Sequence, residues 1–544
     1  MLDEVIEYLR NPLIVMSFTF AFLFCVVSGS QQIGEAVDGE FRAFRLQQYE
    51  INGNLFGSRS NRVQFEAVTL NSKNLRRCVV TTWRQLLDKD IDDVLSATAG
   101  AVLVFIPSDL DSLSAEDVKA FGQFEKKLLR VRTDLSIYFS PSSSETPSIV
   151  SNLVNTPSGQ SATATEQLFN TLTADTVQIS TIDTSAPESL TYKPKNVVGF
   201  LSSGDPSAPT IAFVAHYDSH AVAPGLAAGS DSNGSGIVAL LELLAVLGKF
   251  YDSTTTRPPY NLLFLWTAGG KLNYQGAMHW INEYQKGTED QKLELAICLE
   301  AIGRARDGTL RMHASTDPKS ATANFLKRLT SVANGKKIEV VKKKISLSNV
   351  SSWEHEKFNI KRMPAITLST LPNAFDESRT SLLDIPAKLD VDELASNIRI
   401  IAEATLSYIL ELPEQGSTDS RVTSDKTMLA RDAIDKTRIH HYVRQFASKP
   451  RPLSDKHATL ATSANIAAAA GTFAHVTTSA VTITDARVYS GIENTLISER
   501  VKPAVFELVI MSGIMAYLSF FYFITSNAQS LIASASFQIK KALC

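Results

Sequence analysis

The stretch IAFVAHYDSH at Ile211–His220, followed by GSDSNGSG at Gly229–Gly236 and the apolar run IVALLELLAVL at Ile237–Leu247, decides how this chain folds. Ile211–Ala215 reads as a strand buried on both faces, because it is continuously apolar and short. The glycine- and serine-rich turn then delivers the chain into a long apolar helix, Gly236–Tyr251. The same alternation continues outward. Strands are expected at Val197–Leu201, Leu262–Thr267, Leu295–Leu299, Leu310–His313 and Ala365–Ser369, and helices at Tyr274–Gln285, Ala321–Val332 and Val391–Leu410. Strands interleaved with amphipathic helices predict an α/β domain over 177–412, with a mostly parallel central sheet and helices on both faces. In such sheets functional side chains gather at the carboxyl ends of the strands.

On the N-terminal side, 41–165 contains a smaller α/β region. Ala101–Ile106, Ala115–Leu129 and Leu135–Phe139 form one strand–helix–strand unit, and Ser140–Thr165 reads as a Ser/Thr/Pro-rich loop. On the C-terminal side, 413–503 is poor in large apolar residues and is expected to be a membrane-proximal stalk, with one helix within Asp425–Phe446. Lys336, Lys337 and Lys342–Lys344 flank a short strand, Ile338–Val341, expected in a solvated hairpin.

The ends are different. Leu13–Val27 carries no charge and is followed by Ser28-Gly29-Ser30, which places a signal peptide or a retained signal-anchor at 1–30. Leu508–Ile524 lies in a stretch without charge and, with Val505 and Phe506, is long enough to cross about 30 Å of hydrocarbon as a helix. A span at 504–525 leaves a short cytosolic tail, 526–544, and the bulk on the exported side of a single-pass type I protein. Asn233-Gly-Ser235 and Asn349-Val-Ser351 are glycosylation sequons suited to that side. Four cysteines in 544 residues exclude a disulfide scaffold, and Cys78 and Cys298, the two on the exported side, read as buried thiols rather than a bridge. With 53 basic against 56 acidic residues the chain has no electrostatic footprint for nucleic acid.

The polar residues at the strand ends form an ordered set: His216 and Asp218; Asp231 within the glycine-rich turn; Gly269-Gly-Lys-Leu-Asn-Tyr-Gln-Gly276; Glu300; and Trp353-Glu-His-Glu-Lys-Phe358. This order resembles the M28 family of zinc aminopeptidases across roughly 177–412. The resemblance implies that His216, Glu300 and His355 stand at metal-ligand positions and Asp218 at that of an orienting acid. In such a site two zinc ions hold substrate and hydroxide while a Glu moves the proton. Three positions depart from the pattern. Ser232 stands at the bridging carboxylate, with Asp231 one residue early, and Gly270 and Lys271 stand at the base and a neighbouring zinc-binding Glu. Glycine cannot take a proton. An ammonium about 4 Å from a dication is repelled by roughly 8 kcal/mol at an effective dielectric of about 20. His216 and His355 then read as hydrogen-bonding residues of a vestigial polar cleft, and no catalytic residue, metal or cofactor is expected.

With these departures, and with Phe44-Arg-Leu-Gln-Gln-Tyr49, Arg399-Ile-Ile-Ala-Glu-Ala404 and Arg500-Val-Lys-Pro-Ala-Val-Phe506, the chain resembles the catalytically degenerate, nicastrin-related branch of that family. The resemblance implies a scaffold in the endoplasmic reticulum membrane. It also implies assembly with the Nodal modulator protein and a small multispanning membrane protein at the translocon, with roles in multipass membrane protein biogenesis, receptor assembly and Nodal signalling. Two alternatives stay open: an active zinc aminopeptidase with rearranged ligands (Asp231, Glu300, His216 and His355), and a lumenal receptor in which Glu300 and Asp218 hold a peptide amine.

Overall fold

The computed structural model describes residues 37–70, 77–98, 100–142, 176–287, 292–346, 350–411, 428–501, 508, 510–523 and 527. Its strands in chain order are β1 (Val37–Arg45), β2 (Tyr49–Ile51), β3 (Asn54–Ser58), β4 (Gln64–Thr69), β5 (Cys78–Thr82), β6 (Ala101–Pro107), β7 (Arg132–Thr133), β8 (Ser136–Ser142) and β9 (Thr176–Thr181). They continue with β10 (Lys195–Leu201), β11 (Thr210–His216), β12 (Asn261–Thr267), β13 (Leu293–Leu299), β14 (Thr309–Ala314), β15 (Lys337–Lys342), β16 (Ala365–Ser369), β17 (His475–Ala480), β18 (Ala486–Val488) and β19 (Glu493–Val501).

The larger body is an eight-stranded sheet in the order β15-β14-β16-β13-β11-β12-β10-β17. Its centre is parallel: β11 pairs with both β12 and β13, and β13 with β16. β16 to β14, β12 to β10 and β10 to β17 are antiparallel. Side-chain alternation along β11 explains why that strand is apolar throughout. Ile211, Phe213 and Ala215 enter one core with the helices Ser235–Gly248 and Val391–Ile409. Ala212 and Val214 enter the opposite core with Ala277, Ile281 and Phe358. A central parallel strand covered on both faces must be apolar on both. The helix after the glycine-rich turn is buried along its whole length for a similar reason: apart from Glu242 it is apolar on every face. Among the described residues, Ser230–Gly248 is the one helix long and apolar enough to cross a bilayer, yet it lies wholly inside the protein.

The N-terminal region contains the expected strand–helix–strand unit, with β6 and β8 parallel around the helix Ala115–Leu128. It is, however, part of a closed barrel, β1-β19-β9-β4-β5-β6-β8, that the sequence did not reveal. β19 is the correction to the expected stalk: within 413–503, the described residues 428–501 are built into both bodies. β17 forms an edge of the large sheet, and β19 closes the barrel between β1 and β9. Arg438 holds the wholly buried Glu242 of the core helix through two hydrogen bonds of 2.7 and 2.8 Å. The basic strand is likewise no hairpin, since β15 pairs in parallel with β14 at the sheet edge.

The expected signal segment 1–30 and sequon Asn349 lie outside the described residues, as does the tail except Asn527. Of the expected span, Ile510–Phe523 is helical, with Met511, Met515, Phe520 and Tyr522 exposed.

Candidate functional site

The M28-like positions converge where the central strands end. His216 closes β11, the loop Gly269–Gln275 follows β12, Glu300 follows β13, and His355 opens the helix His355–Ile360. Asp218 organises the loop. Its carboxylate accepts from the backbone amides of Gly270 at 2.7 Å and Lys271 at 3.1 Å, while its carbonyl accepts from Asn233 Nδ2. Those amide contacts press Gly270 against His216. A Cβ at position 270 would lie 2.2–2.4 Å from His216 Cγ, Cβ and Cδ2, so the imidazole fills the space any side chain there would need. Glycine at position 270 is thus a packing requirement of His216.

Glu300 is 2% exposed and fully engaged by cations. Arg379 forms a bidentate pair with it, Nε to Oε1 at 2.7 Å and Nη2 to Oε2 at 2.9 Å, and Lys271 Nζ lies 3.5 Å from Oε1. Burial alone would raise the carboxyl's pKa, but Arg379, then Lys271 and His216, hold it down at about 2. Burial lowers Lys271 from its ordinary value, against the pull of Glu300. Arg379 is itself over-determined. It donates to the carbonyls of Ser352 and Ala374 and to the Tyr274 hydroxyl, and its guanidinium lies 4.3 Å from the Trp353 ring centroid. Sequence reading missed Arg379. It lies far from Glu300 in the chain, within Asp376-Glu-Ser-Arg-Thr, which reads as an ordinary polar turn.

Asp231 points away from this cluster. Its Oδ1 accepts from the Gly303 amide at 2.7 Å, and its Oδ2 lies 3.6 Å from Arg306. Burial, then the neighbouring Asp384, push its carboxyl up to about 6. The turn that carries it is capped by Asp384, whose two oxygens accept from the amides of Asp231 and Ser232 at 2.9 and 2.8 Å. Ser232 donates to Asn233 Oδ1. Asn233 is 1% exposed with its Nδ2 given to Asp218, so the expected glycan has no place on it in this fold.

The donor set does not fit a zinc pair. Glu300 is occupied by Arg379, Asp231 is turned to Gly303, and Glu354, the carboxylate beside His216, accepts from the Thr267 hydroxyl at 2.6 Å. His216 has both ring nitrogens unpartnered, with Glu354 at 3.6 Å from Nδ1. His355 shares Nδ1 with Thr367 at 2.8 Å and leaves Nε2 unpartnered. Burial, then His313 and Lys343, lower His355 to about 3, so the ring is neutral at physiological pH. Among the described residues no three His, Cys, Asp or Glu side chains group as a metal site would require. The alternative in which Glu300 and Asp218 receive a peptide amine also fails. One carboxylate is paired with Arg379, and the other is spent on backbone amides. Cys78 and Cys298 are both free and buried.

The loop that carries Arg379 and Asp384 is held by the barrel. On the helix Ala115–Leu128, Glu125 accepts from the Ser381 hydroxyl and from the Leu382 amide, and Lys126 Nζ lies 3.3 Å from Glu377. Gly122 permits this approach, because a Cβ there would lie 2.5 Å from Glu377 Oε2.

Comparison with known proteins places this geometry. The profile described as Peptidase family M28 matches residues 196–404. "Nicalin" of Caenorhabditis elegans is 53% identical, covering 100% of both chains. This chain belongs to the nicalin family. A human relative named "BOS complex subunit NCLN" is 31% identical over 96% of each chain. The crystal structure of the gamma-secretase component nicastrin superposes with a TM-score of 0.58 at 11% identity, covering 84% of this chain and 99% of that one, which shows a shared fold. Within this nicalin-family chain, the M28 match covers the elements that bear His216, Asp218, Glu300 and His355 but not the edge strand β17, while the nicastrin likeness reaches beyond it.

Proposed function

We propose that this protein is a non-catalytic membrane scaffold, a pseudo-peptidase subunit of a BOS-type complex. The observation that carries the reading is the occupation of Glu300 by Arg379 and Lys271, beside a Gly270 whose side-chain space is filled by His216. Cations and an imidazole take the room that a dinuclear site and its base would need, so partner binding is left as the role for an intact α/β frame. Relatives named as BOS complex subunits support assembly into a multi-subunit complex.

The finer reading is a single-pass type I protein of the endoplasmic reticulum, its bulk lumenal and its span, 504–525, in lipid. Asn349 is its glycan acceptor, and the Nodal modulator protein, a small multispanning membrane protein and the translocon are its companions. Work in multipass membrane protein biogenesis, receptor assembly and Nodal signalling follows from those companions. The test combines metal analysis and aminopeptidase assay of the full chain with mass spectrometry of proteins co-purifying in mild detergent. Substoichiometric zinc, no metal-dependent turnover and recovery of membrane companions are expected. Two zinc ions per chain with metal-dependent turnover would overturn the reading.

A further inference from the structure

A cleft of about 760 Å³ opens where the barrel faces the degenerate site, between the helix Ala115–Leu128 and the loops bearing Lys271 and Arg379. That volume is typical of binding sites. Its charge is the reverse of what a peptide amine needs. Six basic side chains line it against three acidic ones; of the six, Arg379 and Lys271 are held by Glu300, Lys126 by Glu377, and Lys343 lies 3.9 Å from Glu356, so the cations turned to the opening are Arg130 and Lys344. Of the three acids, Glu125 is buried and bonded to Ser381 and Leu382, Glu377 is paired with Lys126, and Asp376 caps its own turn through the Ser378 amide. Arg130 and Lys344 stand exposed at the rim. Beside them Phe375 is 70% exposed, with Lys343 Nζ 5.1 Å from its ring centroid, and Val350 is 45% exposed.

We propose that this cleft binds an acidic, apolar-studded peptide segment of a partner protein, its carboxylates facing Arg130 and Lys344 and an apolar side chain resting on Phe375 and Val350. The proposal rests on the non-catalytic reading, because a cleft holding two zinc ions would meet the same ligand differently. A compact inorganic anion would satisfy the cations but leave the exposed apolar rim in water. An acidic peptide matches both, and confined cationic walls attract such a ligand by focusing the field.

The test uses the full chain in phosphatidylcholine nanodiscs and fluorescence anisotropy with a labelled peptide alternating Glu with Leu and Phe. Its Gln and Lys counterparts serve as controls, with inorganic phosphate and glycerophosphoserine as competitors. The Glu peptide is expected to bind about tenfold tighter than the Gln peptide, with affinity falling as salt rises. Lys344→Glu and Arg130→Glu should each weaken it about threefold with unchanged melting temperature, as rim charges do. Phe375→Ala should weaken it without altering the salt dependence. Equal binding of the Glu and Gln peptides, no binding of either, or indifference to all three substitutions would overturn the proposal. Displacement by phosphate or glycerophosphoserine at concentrations matching the peptide would identify a simple anion site and equally overturn it. Absence of peptide binding together with absence of zinc sinks only this inference, whereas zinc-dependent turnover sinks the scaffold reading itself.

Discussion

Replacing Arg379 by Met removes the bidentate partner of a carboxylate that is 2% exposed, leaving Glu300 with Lys271 at 3.5 Å. The displacement of Glu300 from its ordinary 4.5 to about 2 corresponds to about 3 kcal/mol, at about 1.4 kcal/mol per pH unit, and this is what Arg379, Lys271 and His216 supply together beyond the burial penalty of the carboxylate. Breaking a buried ion pair by removing one partner typically costs about 3–5 kcal/mol, because the remaining charge stays desolvated. The two figures agree in scale. At roughly 2–4 °C per kcal/mol for a large domain, Arg379→Met should lower the melting temperature by about 6–20 °C.

The double variant Arg379→Met/Glu300→Gln removes both charges and should recover more than half of that loss. The pH dependence separates a charge effect from lost packing over Trp353. In the parent, the depressed carboxyl contributes stability that is present above 4.5 and lost as pH falls towards about 2. In Arg379→Met burial dominates, and the folded carboxyl titrates above its unfolded value. Its contribution is then lost as pH rises, so the gap between parent and variant should narrow from pH 7 to pH 5. Thermal unfolding of the full chain at both pH values measures all three effects. An Arg379→Met protein that melts with the parent, or a double variant no better than the single one with a gap independent of pH, would refute the pairing argument.

Gly270→Ala should cost about 1–3 kcal/mol, as overpacking does, and less in a His216→Ala background; an equal cost in both backgrounds would show that the ring is not what the Cβ meets. Gly270→Glu/Lys271→Glu should yield no aminopeptidase turnover, since His216 still fills the space beside position 270. Asn233→Gln should leave the endoglycosidase-sensitive gel shift of the full chain unchanged while reducing stability by about 1–3 kcal/mol, through the lost buried bond to the Asp218 carbonyl. A lost glycan band would contradict the buried placement. Burial pushes the Cys78 thiol up to about 12 and raises Cys298 well above its ordinary value, so maleimide should label both only after denaturation, with no difference between reducing and non-reducing gels. Rapid native labelling of either thiol would contradict the packing.

The large sheet was legible because burial on both faces leaves an unmistakable record, as in Ile211–Ala215, and because the turn Gly229–Gly236 punctuates strand and helix. β19 was not. Its inward positions 494, 496 and 498 are Asn, Leu and Ser, and the two polar ones are satisfied inside the barrel by Asp183 and Gly39. A period-two pattern built from hydrogen-bonded polar residues carries no hydropathy signal. The helix Lys456–Ala470 hid in the same way: its buried positions Thr459, Thr462, Ser463, Ile466 and Ala470 keep helical spacing in mostly small or polar residues. At the site, departures from the M28 pattern were readable at Ser232, Gly270 and Lys271 because they occupy motif positions. Arg379 occupies none, and only the fold brings it to Glu300. Asn233 misled because a sequon records sequence and not exposure.

One loop, Asp376–Asp384, supplies two buried charges that the M28-like frame holds at its strand ends. Arg379 neutralises the acid at the end of β13, and Asp384 caps the amides at the turn leading into the core helix, where a negative charge also opposes the positive end of the helix dipole. Each group would be costly alone: a buried guanidinium and a buried carboxylate both need partners in place before water leaves. Delivering them on one segment, itself tied to the barrel through Glu125 and Lys126, makes their placement a single event rather than two. Barrel and sheet are therefore coupled through the degenerate site. A ligand in the cleft between them would touch both sides of that coupling, a physical route by which occupancy can be felt in barrel and sheet alike.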